Sequence, residues 1–383
     1  MKTSIVATIV AASLVAAGAA RAEITVGFVT SQSGPGASIG VLYDRGMKAA
    51  VEYAMSVGDE KIRLIQLDDG SDPSAATRNA RKLVEEGKVD FLIGTATAPS
   101  SIAMVAVANE LKVPMISVSP ITVPATESGD RWAVAIPQPP GLMVKVVVDR
   151  MKRDGIKNFA YIGFSDAWGD LVYNGAQKPA EADGLKILTN ERYARTDTSV
   201  TGQVLKIAAA RPDAVLIAGS GTPAALPQKA LKERGYAGKI YQTHGVANND
   251  FLRVGGKDVE GTLLPAGPVL VAAQLPADHP VKKSALDYIA KYEAANGKGS
   301  VSTFGGHAWD AGLLLAAAAP EALKKAQPGT PAFRAALRDA IENAKNVAGA
   351  HGVFNMSPQD HLGLDQRARV MVEIKNGAWV LIK

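Results

Sequence analysis

Between Val89 and Ser119 the chain reads Val-Asp-Phe-Leu-Ile-Gly, then the polar stretch Thr95-Ala-Thr-Ala-Pro-Ser-Ser101, then an amphipathic run to Leu111 and a second apolar strand pattern from Val113. Hydroxyls here sit where a buried strand gives way to a helix. The first N–H groups of a helix have no intrahelical acceptor, and the helix dipole is positive at that end. A turn of this kind is suited to a carboxylate or phosphate. Thr97, Ser100 and Ser101 are therefore candidate ligand residues for a small organic anion. The competing reading is that Thr97 and Ser100 only cap the helix.

Other spacings fall short of a reaction centre. Gly34, Gly36 and Gly40 follow a strand, with Asp68 and Asp69 ending the next one. The pattern is G-x-G-x-x-x-G, one residue longer than the dinucleotide fingerprint, so a glycine-dependent turn is the preferred reading. No phosphate-binding loop signature occurs, and Gly163-Phe-Ser165-Asp-Ala167 misses the nucleophile elbow at its last position. The five histidines, His244, His279, His307, His351 and His361, form no metal-binding pair. His307 reads as structural, and only His244 falls at a strand end. An exported α/β hydrolase, with a triad assembled from distant parts, is the enzymatic alternative; no cofactor is expected.

These residues need a frame. Apolar strand patterns over Ile24–Thr30, Ile62–Leu67, Phe159–Gly163, Leu185–Tyr193, Ala214–Ala218 and Lys239–Gln242 alternate with helical patterns. The fold class predicted is α/β, with parallel sheets covered on both faces. Asp72-Pro73 marks a helix start, because Asp caps and Pro suits the first helical position. Breaks at Pro137–Gly141 and Leu264–Pro268 suggest crossings between domains. A helix-rich block follows over Val281–Ala295, Phe304–Ala319 and Ala332–Asn343, with Pro320 ending an apolar run. A hairpin turning at Asn376-Gly377 closes the chain.

The chain has 383 residues, 47% of them apolar and 21% charged, with a net charge of +5 spread along its length. This is a globular composition. Aromatic residues make up 5% and no basic run occurs, which argues against nucleic-acid binding. Residues 1–22 read as a secretory signal peptide: Lys2, an apolar stretch, and Ala20-Arg-Ala22 as the cleavage site. An uncleaved membrane anchor is the alternative. Cysteine is absent, which excludes disulfides and a lipid-modified cysteine. A periplasmic location is expected.

Several stretches together resemble the periplasmic solute-binding proteins of ABC importers, in the branched-chain amino acid (leucine/isoleucine/valine-binding) family. They are Val26-Gly-Phe-Val-Thr with Ser33-Gly-Pro35, Asp68-Asp69-x-x-Asp72-Pro73, Phe91-Leu-Ile-Gly94, Pro114-Met-Ile-Ser-Val-Ser-Pro120 and Gly245-Val-Ala-Asn248. Trp309-Asp-Ala311 looks like the family's aromatic-Asp-Ala helix start. The resemblance implies the type I periplasmic binding protein fold: two doubly wound Rossmann-like lobes joined by three hinge crossings, closing on a ligand between them. Lobe 1 would comprise 23–138 and 267–355, and lobe 2 would comprise 139–266 and 356–383, with the third crossing near Phe354–Asp365. It implies a monomer that delivers its ligand to the permease subunits of an ABC transporter, without turnover. A receptor ectodomain is a further option.

The pocket departs from that family's pattern. Where its amino-acid binders commonly carry a Glu for the ligand ammonium, this chain has His244. Ala98 aligns with a carboxylate-binding hydroxyl residue, Val123 with a Thr beside Thr122, and Ile39 and Trp168 with pocket tyrosines. Ile121 and Ser220 complete the candidate set. Loss of the ammonium partner, with added apolar and aromatic surface, points to a carboxylate lacking an α-ammonium, of the benzoate or phenylpropenoid type. A branched-chain or other apolar amino acid is the alternative.

Overall fold

The computed structural model describes residues 23–53 and 62–382. The expected signal peptide, residues 1–22, lies outside the described residues.

Three helix starts share a local device. A short oxygen-bearing side chain at the cap, with a proline in the first two helical positions, accepts from the third residue's N–H. Asp72 accepts from Ala75 N at 2.6 Å to open α2 (Pro73–Glu85). Thr97 does so from Ser100 N to open α3 (Ala98–Leu111), and Thr330 from Phe333 N to open α11 (Pro331–Glu342). Between these starts, wholly buried runs such as Phe91–Gly94 form parallel strands covered on both faces.

Two sheets result. The first uses β1 (Ile24–Thr30), β2 (Ile62–Asp68), β3 (Phe91–Gly94), β4 (Met115–Ser117) and β5 (Ala133–Ala135), in the order β2-β1-β3-β4-β5 and all parallel. The second uses β6 (Asn158–Phe164), β7 (Lys186–Tyr193), β8 (Ala214–Ala218), β9 (Lys239–Gln242) and β10 (Leu263–Ala266), in the order β7-β6-β8-β9-β10. Each order reverses direction after its first strand, at β1/β3 and at β6/β8. Ligands of doubly wound sheets bind outside the carboxyl ends of the strands at such a switch point.

The helices between these strands are α1 (Ala37–Tyr53), α4 (Pro140–Arg153), α5 (Ala167–Ala182), α6 (Thr201–Ala210), α7 (Ala225–Glu233) and α8 (Asn249–Gly255). The helices α9 (Lys282–Asn296), α10 (Thr303–Leu323) and α11 follow the second sheet in sequence but return to the first. Their buried residues share one core with Ile24, Val26 and Phe28 of β1. A small ribbon, β11 (Val347–Ala348) with β12 (Val353–Phe354), comes next. The chain then crosses back, and β13 (Val370–Lys375) and β14 (Ala378–Ile382) extend the second sheet antiparallel beyond β10. Asn376 and Gly377 both have positive φ, as a tight two-residue hairpin requires.

Three sequence expectations change. Leu264–Ala266, read as part of a break, belongs to β10, and the chain leaves the sheet at Gly267. Trp309-Asp-Ala311 is not a helix start: α10 begins at Thr303, capped by Ser302, and these residues lie in its second turn. The helix read as Phe304–Ala319 runs on through Pro320 to Leu323.

Candidate functional site

The carboxyl ends of both sheets converge on one cavity. From the first lobe, α1 contributes Ile39 and Tyr43, one helical turn apart and so on one face. The turn after β3 gives Ala96 and Ala98, and the turn after β4 gives Ser119 and Pro120. Phe304 and His307 come from the first two turns of α10. From the second lobe, Trp168 opens α5, Arg195 follows β7, Ser220 follows β8, and His244 and Gly245 follow β9. The lobes also touch directly, with Thr222 N donating to Ser38 Oγ at 3.2 Å.

Arg195 is the one charged residue among those lining the cavity. Its Nε donates to Asp166 Oδ2 at 2.6 Å, and its Nη1 donates to Ser220 Oγ at 3.0 Å. The guanidinium lies 4.2 Å from the Phe164 ring centroid, a cation–π contact. Asp166 Oδ1 meanwhile caps α5 by accepting from Trp168 N at 2.9 Å. One carboxylate thereby fixes both the cation and the helix that carries Trp168.

Aromatic rings form the walls. Trp168 Nε1 donates to Gly219 O at 3.0 Å, which sets the indole's orientation. The His244 ring meets it edge to face, with centroids 5.4 Å apart. Tyr43 packs edge to face on Phe304, and its hydroxyl donates to Val118 O. Burial holds the Tyr43 phenol well above its ordinary pKa.

His244 and His307 are buried, which favours their neutral forms. Burial, with a smaller contribution from His351, lowers His244 to about 3, and neither of its ring nitrogens has a protein partner. His307 is likewise held well below its ordinary value by burial. It stacks on His351, with centroids 3.9 Å apart, and His351 Nδ1 lies 3.0 Å from Asp310 Oδ2.

Of the ten residues singled out from sequence, Ile39, Ala98, Trp168, Ser220 and His244 line this cavity. Thr97, Ser100 and Ser101 lie behind it, buried, with their hydroxyls engaged locally. Thr97 Oγ1 accepts from Ser100 N and donates to Ser100 Oγ, while Ser101 Oγ accepts from Thr95 N. Ile121 and Thr122 instead line a separate groove with Pro139, Pro140 and Leu171. Arg195, Tyr43, Phe304 and His307 were not found from sequence. Tyr43 was findable, since it lies four residues beyond Ile39 on the same helix. His307 shows the helical periodicity of a core residue, and α10 aims that stripe into the cavity.

The model of the family described as "Periplasmic binding protein" matches residues 23–378. The chain belongs to the periplasmic binding protein family. An extracellular ligand-binding receptor from Rhodopseudomonas palustris superposes with a TM-score of 0.90 at 45% identity, covering 94% of this chain and 99% of that one. A Leu/Ile/Val-binding protein homologue of Brucella melitensis is 25% identical over 260 residues, 66% of this chain and 70% of its own. A solute-binding protein of an R. palustris ABC transporter, solved with benzoate, shares the fold with a TM-score of 0.78 at 24% identity, over 94% of this chain and 96% of that one. This periplasmic binding protein is thus a solute-binding component of ABC-type transport and not an enzyme. Among the described residues no helix is long and apolar enough to cross a membrane.

Proposed function

We propose that this protein captures an aromatic monocarboxylate, of the benzoate or phenylpropenoid type, and presents it to the permease of its transporter. The observation that carries the reading is the composition of the cavity wall: one guanidinium, several aromatic rings and no acidic side chain. A carboxylate in a desolvated site needs a charged or multiply hydrogen-bonded partner. Arg195 supplies it, held in place by Asp166 through Nε and by Ser220 through Nη1. Ser220, from the second lobe, and Ala98, the first residue of α3 in the first lobe, also line the cavity. A flat ring stacked or edge-on among Trp168, Phe304 and Tyr43 gains about 0.5–1.5 kcal/mol beyond its area burial.

An α-amino acid is disfavoured by the same wall. Its ammonium would lose water beside a guanidinium and neutral imidazoles, with no carboxylate to meet it. The fold accommodates aromatic acids elsewhere, as the benzoate complex of the R. palustris protein demonstrates for that protein. The test is a thermal-shift screen of the mature protein against benzoates, phenylpropenoates and aliphatic amino acids. A ligand at 100 times its dissociation constant adds about 2.7 kcal/mol. Stabilisation by aromatic acids and not by leucine or valine is expected; the reverse pattern would overturn the proposal in favour of an amino-acid binder.

A further inference from the structure

His307 has its proton placed by residues outside the cavity. Gln138 lies in the first crossing between the lobes, and its Nε2 donates to Ala368 O in the third crossing at 2.9 Å. That bond fixes which way the Gln138 amide faces, so the atom turned to His307 is the carbonyl Oε1, 3.2 Å from His307 Nε2. An amide oxygen only accepts. His307 Nε2 must therefore carry the hydrogen. In a neutral imidazole the other nitrogen, Nδ1, is then a bare acceptor. Nδ1 is buried and has no protein partner, and His307 is 3% exposed on the cavity wall.

The neighbours do not relieve it. The Tyr43 hydroxyl donates elsewhere, to Val118 O. His351, stacked on the other side, directs its Nδ1 to Asp310. A buried acceptor left unmet is destabilising, and a ligand proton would remove that cost. We propose that His307 Nδ1 is a specificity subsite for a hydrogen-bond donor on the ligand, so that the preferred substrate is a hydroxylated aromatic acid whose phenolic O–H is donated to His307 while its carboxylate meets Arg195. The proposal rests on the aromatic-acid reading and narrows it. An ether oxygen at the same ring position has no proton to give and would oppose two acceptors, and an unsubstituted ring leaves Nδ1 unmet.

The experiment is titration calorimetry of the mature protein with three matched acids in both the benzoate and cinnamate series: 4-hydroxy, 4-methoxy and unsubstituted. The 4-hydroxy acid is expected to bind at least about tenfold tighter than the other two. In His307→Phe that advantage collapses, the ratio of 4-hydroxy to unsubstituted affinity falling towards one. Long-range nitrogen–proton spectra of selectively labelled protein read the tautomer independently of ligand, and Nε2–H is expected at His307. Equal binding of all three acids, or an Nδ1–H tautomer, overturns the subsite and leaves the aromatic-acid reading standing. Failure of every aromatic acid to bind overturns both.

Discussion

Asp166 Oδ2 accepts from Arg195 Nε at 2.6 Å, and the same carboxylate's other oxygen caps the helix that begins with Ala167 and Trp168. The cation of the cleft and its principal aromatic wall are thus held by a single side chain. Arg195→Met keeps most of the apolar stem and removes the charge. Hydrogen bonds to charged groups are worth about 1.5–3 kcal/mol, so affinity for an aromatic acid should fall roughly 10- to 150-fold by calorimetry. Unchanged affinity would place the carboxylate elsewhere.

Trp168 separates ring from hydrogen bond. Gly219 O accepts from Trp168 Nε1 and also from Thr243 Oγ1 at 3.1 Å, so loss of the indole donor leaves it a partner. Trp168→Phe should cost about 1 kcal/mol of stability and keep measurable binding of aromatic acids. Trp168→Ala should cost about 3–5 kcal/mol by denaturant titration and abolish that binding. If the two variants bind alike, the ring is not part of the ligand wall.

Stability should fall as the medium is acidified from pH 7 to pH 5. His244 titrates near 6.5 in the unfolded chain and at about 3 when folded, because burial opposes its charge. Between those values the unfolded state holds a proton that the folded state lacks. The contribution is therefore complete above about pH 6.5 and declines below it, by up to about 1.4 kcal/mol per pH unit for such a group. His307 adds in the same direction. Melting curves of the wild type and His244→Asn should diverge in slope across this window, with the variant flatter; parallel slopes would mean that His244 does not titrate this way.

Gly46 is where α1 and α10 meet backbone to backbone. A Cβ there would lie 2.1 Å from Gly305 O and 2.5 Å from Gly305 Cα. No side chain can swing aside to relieve that clash, so Gly46→Ala should cost about 3 kcal/mol, the upper end of the usual range for overpacking. Because α1 carries Ile39 and Tyr43 into the cavity, ligand affinity should drop with it. A variant as stable as the wild type would show that the helices slide apart at little cost.

Much of the frame was legible because local rules wrote it. Ala214–Ala218 and Lys239–Gln242 are apolar enough, and bounded sharply enough, to be strands at the residues expected. Asp72-Pro73 starts a helix for reasons internal to those two residues. The site was less legible because it is assembled across distance. Arg195 is one of 42 basic residues and carries no local motif. Its role comes from Asp166, 29 positions earlier, and Ser220, 25 later, which only the sheet order brings together. Thr97 shows the converse. Its type and position announced an anion site or a cap, and its Oγ1 is engaged in the cap, so the ligand-facing contribution of that turn reduces to Ala98 and the helix end.

The return of α9, α10 and α11 to the first sheet also fixes an order of events in synthesis. While the chain emerges from its amino end, β1 has no α10 to cover it until more than 270 residues later, and the second sheet lacks β13 and β14 until the final residues. Neither half can reach its finished core from a partial chain. The two halves therefore finish their cores late, once residues 303–382 have emerged.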